Sequence, residues 1–169
     1  MDAYRTINDT LVNLFNEIWE LEKEAIITEE FKDITNNDMH IIEAIGLSGE
    51  NTMSSVAKKL KITAGSLTTA VNALVRKAYV KRERSEEDRR VVYIALTEKG
   101  EKAFYHHEQF HRQMTNAVIE KLDDEEIDAL VKCLKIFLHF SEVISHNTGK
   151  RKSDKAGFVV WMNLFLFWN

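Results

Sequence analysis

The sequence predicts a mainly α chain carrying one small β-hairpin, and three observations lead there. No proline occurs among the 169 residues, so nothing built in interrupts a helix. Apolar residues recur at spacings of three and four through most of the chain, the period of a helix with one buried stripe. Only residues 79–84 and 90–96 read as strands, rich in Val, Tyr and Ile, with Val91, Tyr93 and Ala95 alternating against Val92, Ile94 and Leu96. At this length one domain, or two tightly joined lobes, is expected, with room for an interface shared between copies.

In chain order, Tyr4, Ile7, Leu11, Leu14, Ile18, Leu21 and Ala25 line one stripe of a long first helix, widened by Phe15 and Trp19. Such a seam wants a partner helix. Thr35 with Asp38 three residues on announces the next helix. Its staple is Ile34 with Met39, its inner face Met39, Ile42 and Ile45, and its C-terminal cap Gly46. Thr52 then caps a short helix whose Met53, Val56, Ala57 and Leu60 face inward. After a break at residues 61–63 a second helix buries Leu67, Val71, Leu74 and Val75. Two short amphipathic helices joined by three residues form a helix-turn-helix, in which the small Ala57 permits close approach. The hairpin follows, with the charged stretch "RSEEDRR" at its tip. Thr97 caps a helix from Glu98 to about Leu122, and Asp123 with Glu126 boxes the start of the last one, where Leu122 and Ile127 make the staple. That helix carries Ile127, Leu130, Val131, Leu134, Phe137, Leu138, Ser141 and Ile144 on one face, a stripe able to pair with the first.

Charge is unevenly spread. The net value is −4, but residues 1–50 carry −9, residues 51–100 carry +6, residues 101–150 carry −3 and the remainder +2. The basic island in the middle marks an anionic partner for one face, with nucleic acid the default. The single cysteine, Cys133, excludes an internal disulfide and, on an apolar-periodic stretch, is expected as a buried reduced thiol. No run reaches about 18 apolar residues and no secretory pattern opens the chain, so neither a spanning helix nor export is expected and the chain reads as cytoplasmic. From His146 the style changes to a basic, turn-rich "HNTGKRKSDKAG" and then "FVVWMNLFLFWN", nearly all apolar. These read as a segment for a dimer groove or a membrane surface, or as a read-through scar foreign to the domain. No phosphate loop, nucleophile motif or convincing carboxylate pair is present, so an enzyme is not expected.

The order long helix, helix, helix-turn-helix, hairpin and two long helices is that of a winged helix-turn-helix flanked by dimerisation helices. "DRRVVYIALTEKG" resembles the MarR family signature through Asp88, Arg90, Leu96, Thr97 and Gly100. "FKDITNNDMHIIEAIG" and "ITAGSLTTAVNALVRKAYVKRERSEEDRR" resemble, more narrowly, the FabT-type fatty-acid biosynthesis repressors of Gram-positive cocci. The resemblance spans about residues 4–145. It implies a homodimeric repressor on a palindromic operator in double-stranded DNA, controlling fatty-acid synthesis genes with acylated acyl carrier protein as co-repressor. It also implies that Arg90 enters the minor groove, that Asp88 orients it, and that Ser66, Thr68, Thr69 and Asn72 occupy the recognition positions. One departure is Ala78, where the family usually has glycine: either alanine takes a left-handed cap at a penalty or the helix ends differently.

The residues make a physical case of their own. Hydroxyls and the Asn72 amide can bond base edges or phosphates, and a narrow minor groove attracts a guanidinium. Arg76 shares the solvent side of the second helix with Ser66, Thr69 and Asn72 as a groove-reading side chain, and Lys58, Lys59, Lys61, Arg82, Arg84 and Arg89 are expected to add phosphate contacts and counterion release. The expected organisation is a dimerisation helix at 1–34, the DNA-binding lobe at 35–97, dimerisation helices at 98–146 and the atypical tail at 147–169. A helical dimer serving as an interaction module without DNA is the alternative of another class.

The histidines leave alternatives open. His107 and His111 lie one helical turn apart, a spacing that lets both imidazoles reach one metal ion, and His40 could join them with Glu22 or Glu24. The same histidines, with Met39, Phe104 and Phe110, could instead wall an effector pocket for an acyl chain. No resident cofactor is expected, with zinc the alternative, since spacing and composition do not separate an acyl chain from a phenolic ligand or a metal.

Overall fold

A computed structural model describes the backbone of residues 2–147 and the side chains of residues 2–140. The tail discussed above lies outside the described residues. The elements are α1 (Ala3–Ile26), α2 (Asn36–Ile45), β1 (Asn51–Thr52), α3 (Met53–Lys59), α4 (Ala64–Arg76), β2 (Val80–Arg84), β3 (Val92–Leu96), α5 (Glu98–Ile119) and α6 (Asp124–Asn147). The strands form one antiparallel sheet in the order β1-β3-β2. The chain is therefore mainly α with a small wing.

Helix starts follow the caps legible in the sequence. Thr35 and Asp38 form a reciprocal box on α2, Thr52 and Ser55 on α3, and Asp123 and Glu126 on α6. Each box satisfies two backbone donors that a bare helix start leaves open, and a cap of this kind contributes about 1 kcal/mol. The two helix ends around α4 use one device twice. After α3 the amide of Lys61 bonds Lys58 and that of Ile62 bonds Ala57; after α4 the amide of Ala78 bonds Val75 and that of Tyr79 bonds Leu74. Both are Schellman ends, whose turning residue must be left-handed, and Lys61 (φ 54°) and Ala78 (φ 61°) are the non-glycine residues that adopt it. Ala78 thus takes the left-handed cap; the helix does not end differently.

The core lies where α2, α3, α4 and the sheet meet. Met39, Ile42, Ile45, Val56, Leu67, Val71, Leu74, Tyr79 and Ile94 are buried there. Tyr79 is fully enclosed, with its hydroxyl donating to Asp33 at 2.7 Å. Gly100 is required by packing: a Cβ there would land on the Tyr79 carbonyl oxygen. The hairpin strands pair from Val80 with Leu96 to Arg84 with Val92. β1, a two-residue strand that the sequence did not announce, pairs Asn51 with Ile94 and Thr52 with Tyr93. It fastens the wing to the start of α3.

The long helices behave differently. On α1 only Glu22 and Ile26 are buried, while Tyr4, Ile7, Leu14 and Leu21 are exposed. On α6 Val131, Ile136 and Phe140 are exposed, and the helix makes no extended contact with another element among the described residues. The stripes of α1 and α6 therefore do not pair within one chain. Cys133, expected buried, is exposed for the same reason: it lies on a helix that no other element covers among the described residues.

Candidate nucleic-acid interface

The cationic and polar residues singled out in the sequence come together on three adjoining elements. Lys58 and Lys59 on α3, with Lys61 just beyond it, are exposed, as are Ser66, Thr68, Thr69 and Arg76 on α4; Asn72 is half-buried. Arg82 and Arg84 are exposed on β2, and Arg89 and Arg90 at the wing tip. The apolar stripe of α4 explains this placement: Leu67, Val71 and Leu74 dock into the core, which turns the opposite face outward.

Several of these side chains have local duties. Thr68 and Thr69 donate their hydroxyls to the carbonyls of Ala64 (2.7 Å) and Gly65 (3.3 Å), leaving oxygen lone pairs as acceptors toward solvent. The Ser66 hydroxyl is 2.8 Å from that of Thr63, the cap of α4. Lys59 reaches back to the Ala44 carbonyl at 3.4 Å, at the end of α2. Arg82 donates to the Asn72 side-chain oxygen at 2.6 Å, which joins the wing to α4. Sequence reasoning treated those two residues as independent contacts; they are ten positions apart, and only the hairpin's return over α4 brings them together.

The wing tip is held by its own side chains. The amides of Glu87 and Asp88 donate to the Ser85 hydroxyl, both at 3.2 Å, and Val91 bonds back to the Asp88 carbonyl at 2.8 Å. Asp88 receives the Arg90 amide at 3.0 Å and takes the guanidinium in a two-pronged grip, with Nε and Nη2 each 3.1 Å from a different carboxylate oxygen. The Arg90 hydrogen bonds hold the Asp88 carboxyl below the usual carboxylate range. The Arg90 side chain is 91% exposed, so its charge is oriented but not hidden.

The histidines form a separate, interior group where α1, α2 and α5 meet. His107 is fully buried, with Nδ1 2.7 Å from Glu43 and Nε2 2.8 Å from Glu22. His40 is also buried, with its Nδ1 3.5 Å from Glu43. His111 sits at the rim, 3.8 Å from both carboxylates. Burial disfavours the charged form of His107, but hydrogen bonds and charge from Glu22 and Glu43 outweigh it and raise it to about 9. Burial and then the neighbouring His107 lower His111 to about 4. Burial pushes the Glu43 carboxyl up, yet the bond from His107 leaves it well below its ordinary value.

Of the two carboxylates considered from sequence, Glu22 joins this group, whereas Glu24 is exposed. Glu43 was missed. Its signal was an acid three residues after His40 on a helix whose other residues are otherwise apolar at that end. His106 was also missed: its Nε2 lies 2.7 Å from the Ala25 carbonyl, pinning α5 to the end of α1. Met39 is fully buried in the core, and Phe104, half-buried, packs against it. Phe110 lies 6.3 Å from His107, ring to ring and nearly parallel.

Comparison with known proteins bears on the outer face. A family model described as transcriptional regulator SarA/Rot matches residues 25–106. The FabT chain of Streptococcus pneumoniae, solved in complex with DNA, is 39% identical, and the match covers 83% of this chain and 99% of that one with a TM-score of 0.77. YpoP, an uncharacterised HTH-type transcriptional regulator of Bacillus subtilis, is 31% identical over 104 residues, 60% of this chain and 72% of its own length. A chain solved as a MarR family transcription regulator, 16% identical over 86% of this chain and 94% of its own, has a TM-score of 0.70 and shares the fold.

Proposed function

The chain belongs to the MarR family of winged helix-turn-helix transcriptional regulators, and from that premise we propose that it is a homodimeric repressor of fatty-acid biosynthesis genes. It is a DNA-binding regulator and not an enzyme. In the proposed mode α4 enters the major groove of each half of a palindromic operator. Arg90 enters the adjacent minor groove, and acylated acyl carrier protein strengthens the complex as co-repressor. The identity to a FabT chain along almost its whole length supports the narrower reading.

The observation that carries the DNA-binding mode is the Asp88 to Arg90 grip on a hairpin anchored at both edges. A flexible arginine loses conformational freedom on entering a groove; one already bracketed by a carboxylate and a turn loses less. Arg82 on Asn72 adds a second brace, fixing the angle between wing and α4. Lys58, Lys61, Arg84 and Arg89 then serve the phosphates, so affinity falls steeply with salt.

Fluorescence anisotropy with duplexes from promoters of fatty-acid synthesis genes tests this. Arg90→Ala should weaken operator binding at least tenfold with the circular dichroism spectrum unchanged, and Asp88→Asn should weaken it less. Equal affinity for the promoter and a random duplex would end the proposal of sequence-specific repression. Acylated carrier protein should tighten promoter binding where the unacylated form does not; equal effects of the two would remove the co-repressor.

A further inference from the structure

Side chains alternate faces along β2, and on one face Lys81 and Glu83 pair with each other at 2.7 Å. Arg82 stands on the other and donates through Nη2 to the Asn72 side-chain oxygen at 2.6 Å. We propose that this contact sets which base Asn72 reads: it commits the amide to donating, and so makes guanine rather than adenine its base in each half-site. The inference rests on the proposed placement of α4 in the major groove and deepens that reading.

The chemistry of the two groups fixes the polarity. A guanidinium carries only N–H donors, so the amide can meet it with its oxygen alone; turned over, it would set N–H against N–H. The two hydrogens on Nδ2 remain, and no other bond of Asn72 takes them up among the described residues. An asparagine free on both sides grips adenine with both atoms, its oxygen accepting from N6 and its nitrogen donating to N7. Here a cation already stands against the oxygen, and the adenine amino group would bring further hydrogens to it. Guanine offers the opposite edge, since O6 and N7 are both acceptors, and it suits the Nδ2 hydrogens with the positive charge behind them.

The rest of the helix face sharpens the assignment. Asn72 lies one turn beyond Thr68, on the side that the burial of Leu67, Val71 and Leu74 leaves outward. Thr68 and Thr69 donate their hydroxyl hydrogens to the Ala64 and Gly65 carbonyls, so both present acceptors. The face therefore runs from acceptors at Thr68 and Thr69 to a donor at Asn72. An amide by itself has no fixed polarity; Arg82 supplies it, acting as a positioning residue through Asn72.

The test lets each full-length protein select duplexes from a pool of random sequence, with the enriched half-sites read by sequencing. The parent should enrich guanine at one position where Arg82→Ala enriches adenine, while Arg82→Lys, whose ammonium is again all donor, keeps guanine. In anisotropy titrations adenine should gain about tenfold over guanine in Arg82→Ala, the discrimination that one two-bonded contact supplies. Adding Asn72→Ala to Arg82→Ala should abolish the adenine preference. A parent motif that Arg82→Ala leaves unchanged, with every duplex weakened alike, would reduce Arg82 to a structural brace and overturn the proposal alone. Loss of all enrichment in Arg82→Ala, loss of guanine in Arg82→Lys, or an adenine preference that survives in the double variant would also overturn it. A parent that enriches no sequence would bring down the repressor reading, and this proposal with it.

Discussion

Ala78 carries a positive φ that favours glycine, because only there can the chain leave α4 and turn at once into β2. For a residue with a Cβ the left-handed conformation costs about 1–2 kcal/mol, partly offset by the lower entropy of its unfolded chain. Ala78→Gly should therefore stabilise the protein by about 0.5–1 kcal/mol, measured as a higher urea midpoint at unchanged slope. Lys61→Gly should move the midpoint in the same direction. The first site was legible in the sequence, since a pattern with glycine at that position drew the eye to the alanine. The second was not: a lysine after a short helix carries no mark of the hydrogen bonds that close around it.

At the level of elements, the join between wing and α5 rests on an absence of side chain. The first turn of α5 runs so close to the Tyr79 backbone that the Thr97 amide bonds the Tyr79 carbonyl at 3.0 Å, and Gly100 lies against it. Gly100→Ala must move backbone, and overpacking of this kind costs about 1–3 kcal/mol. Chemical denaturation should show a loss of that size, with α5 amides exchanging faster than in the parent. Helix starts, the turn between α3 and α4 and both hairpin strands were legible because each has a local chemical cause: a cap, a period or a charged tip. β1 escaped because two residues have no period. The histidine group was half legible, since His107 and His111 share one helix and their spacing speaks. Glu22 and Glu43 reach His107 across 85 and 64 positions, distances along the chain that no local pattern reports.

At the level of the whole molecule, the apolar stripes of α1 and α6 offer the proposed homodimer its surface. Leu14, Leu21, Val131, Ile136 and Phe140 stand exposed in one chain, an area suited to the interface of the proposed homodimer. If folding and pairing are linked, the melting temperature should rise with protein concentration, and a scan over a hundredfold dilution checks it. The double variant Val131→Asp, Ile136→Asp should sediment as a monomer and lose operator binding while α3 and α4 keep their helicity. The exposure of α6 among the described residues has a consequence for supply in the proposed homodimer. Where total protein falls below the pairing constant, the paired species follows the square of the amount synthesised, so halving expression leaves roughly a quarter of it. A promoter held by such a dimer would then respond to gene dosage more steeply than in proportion.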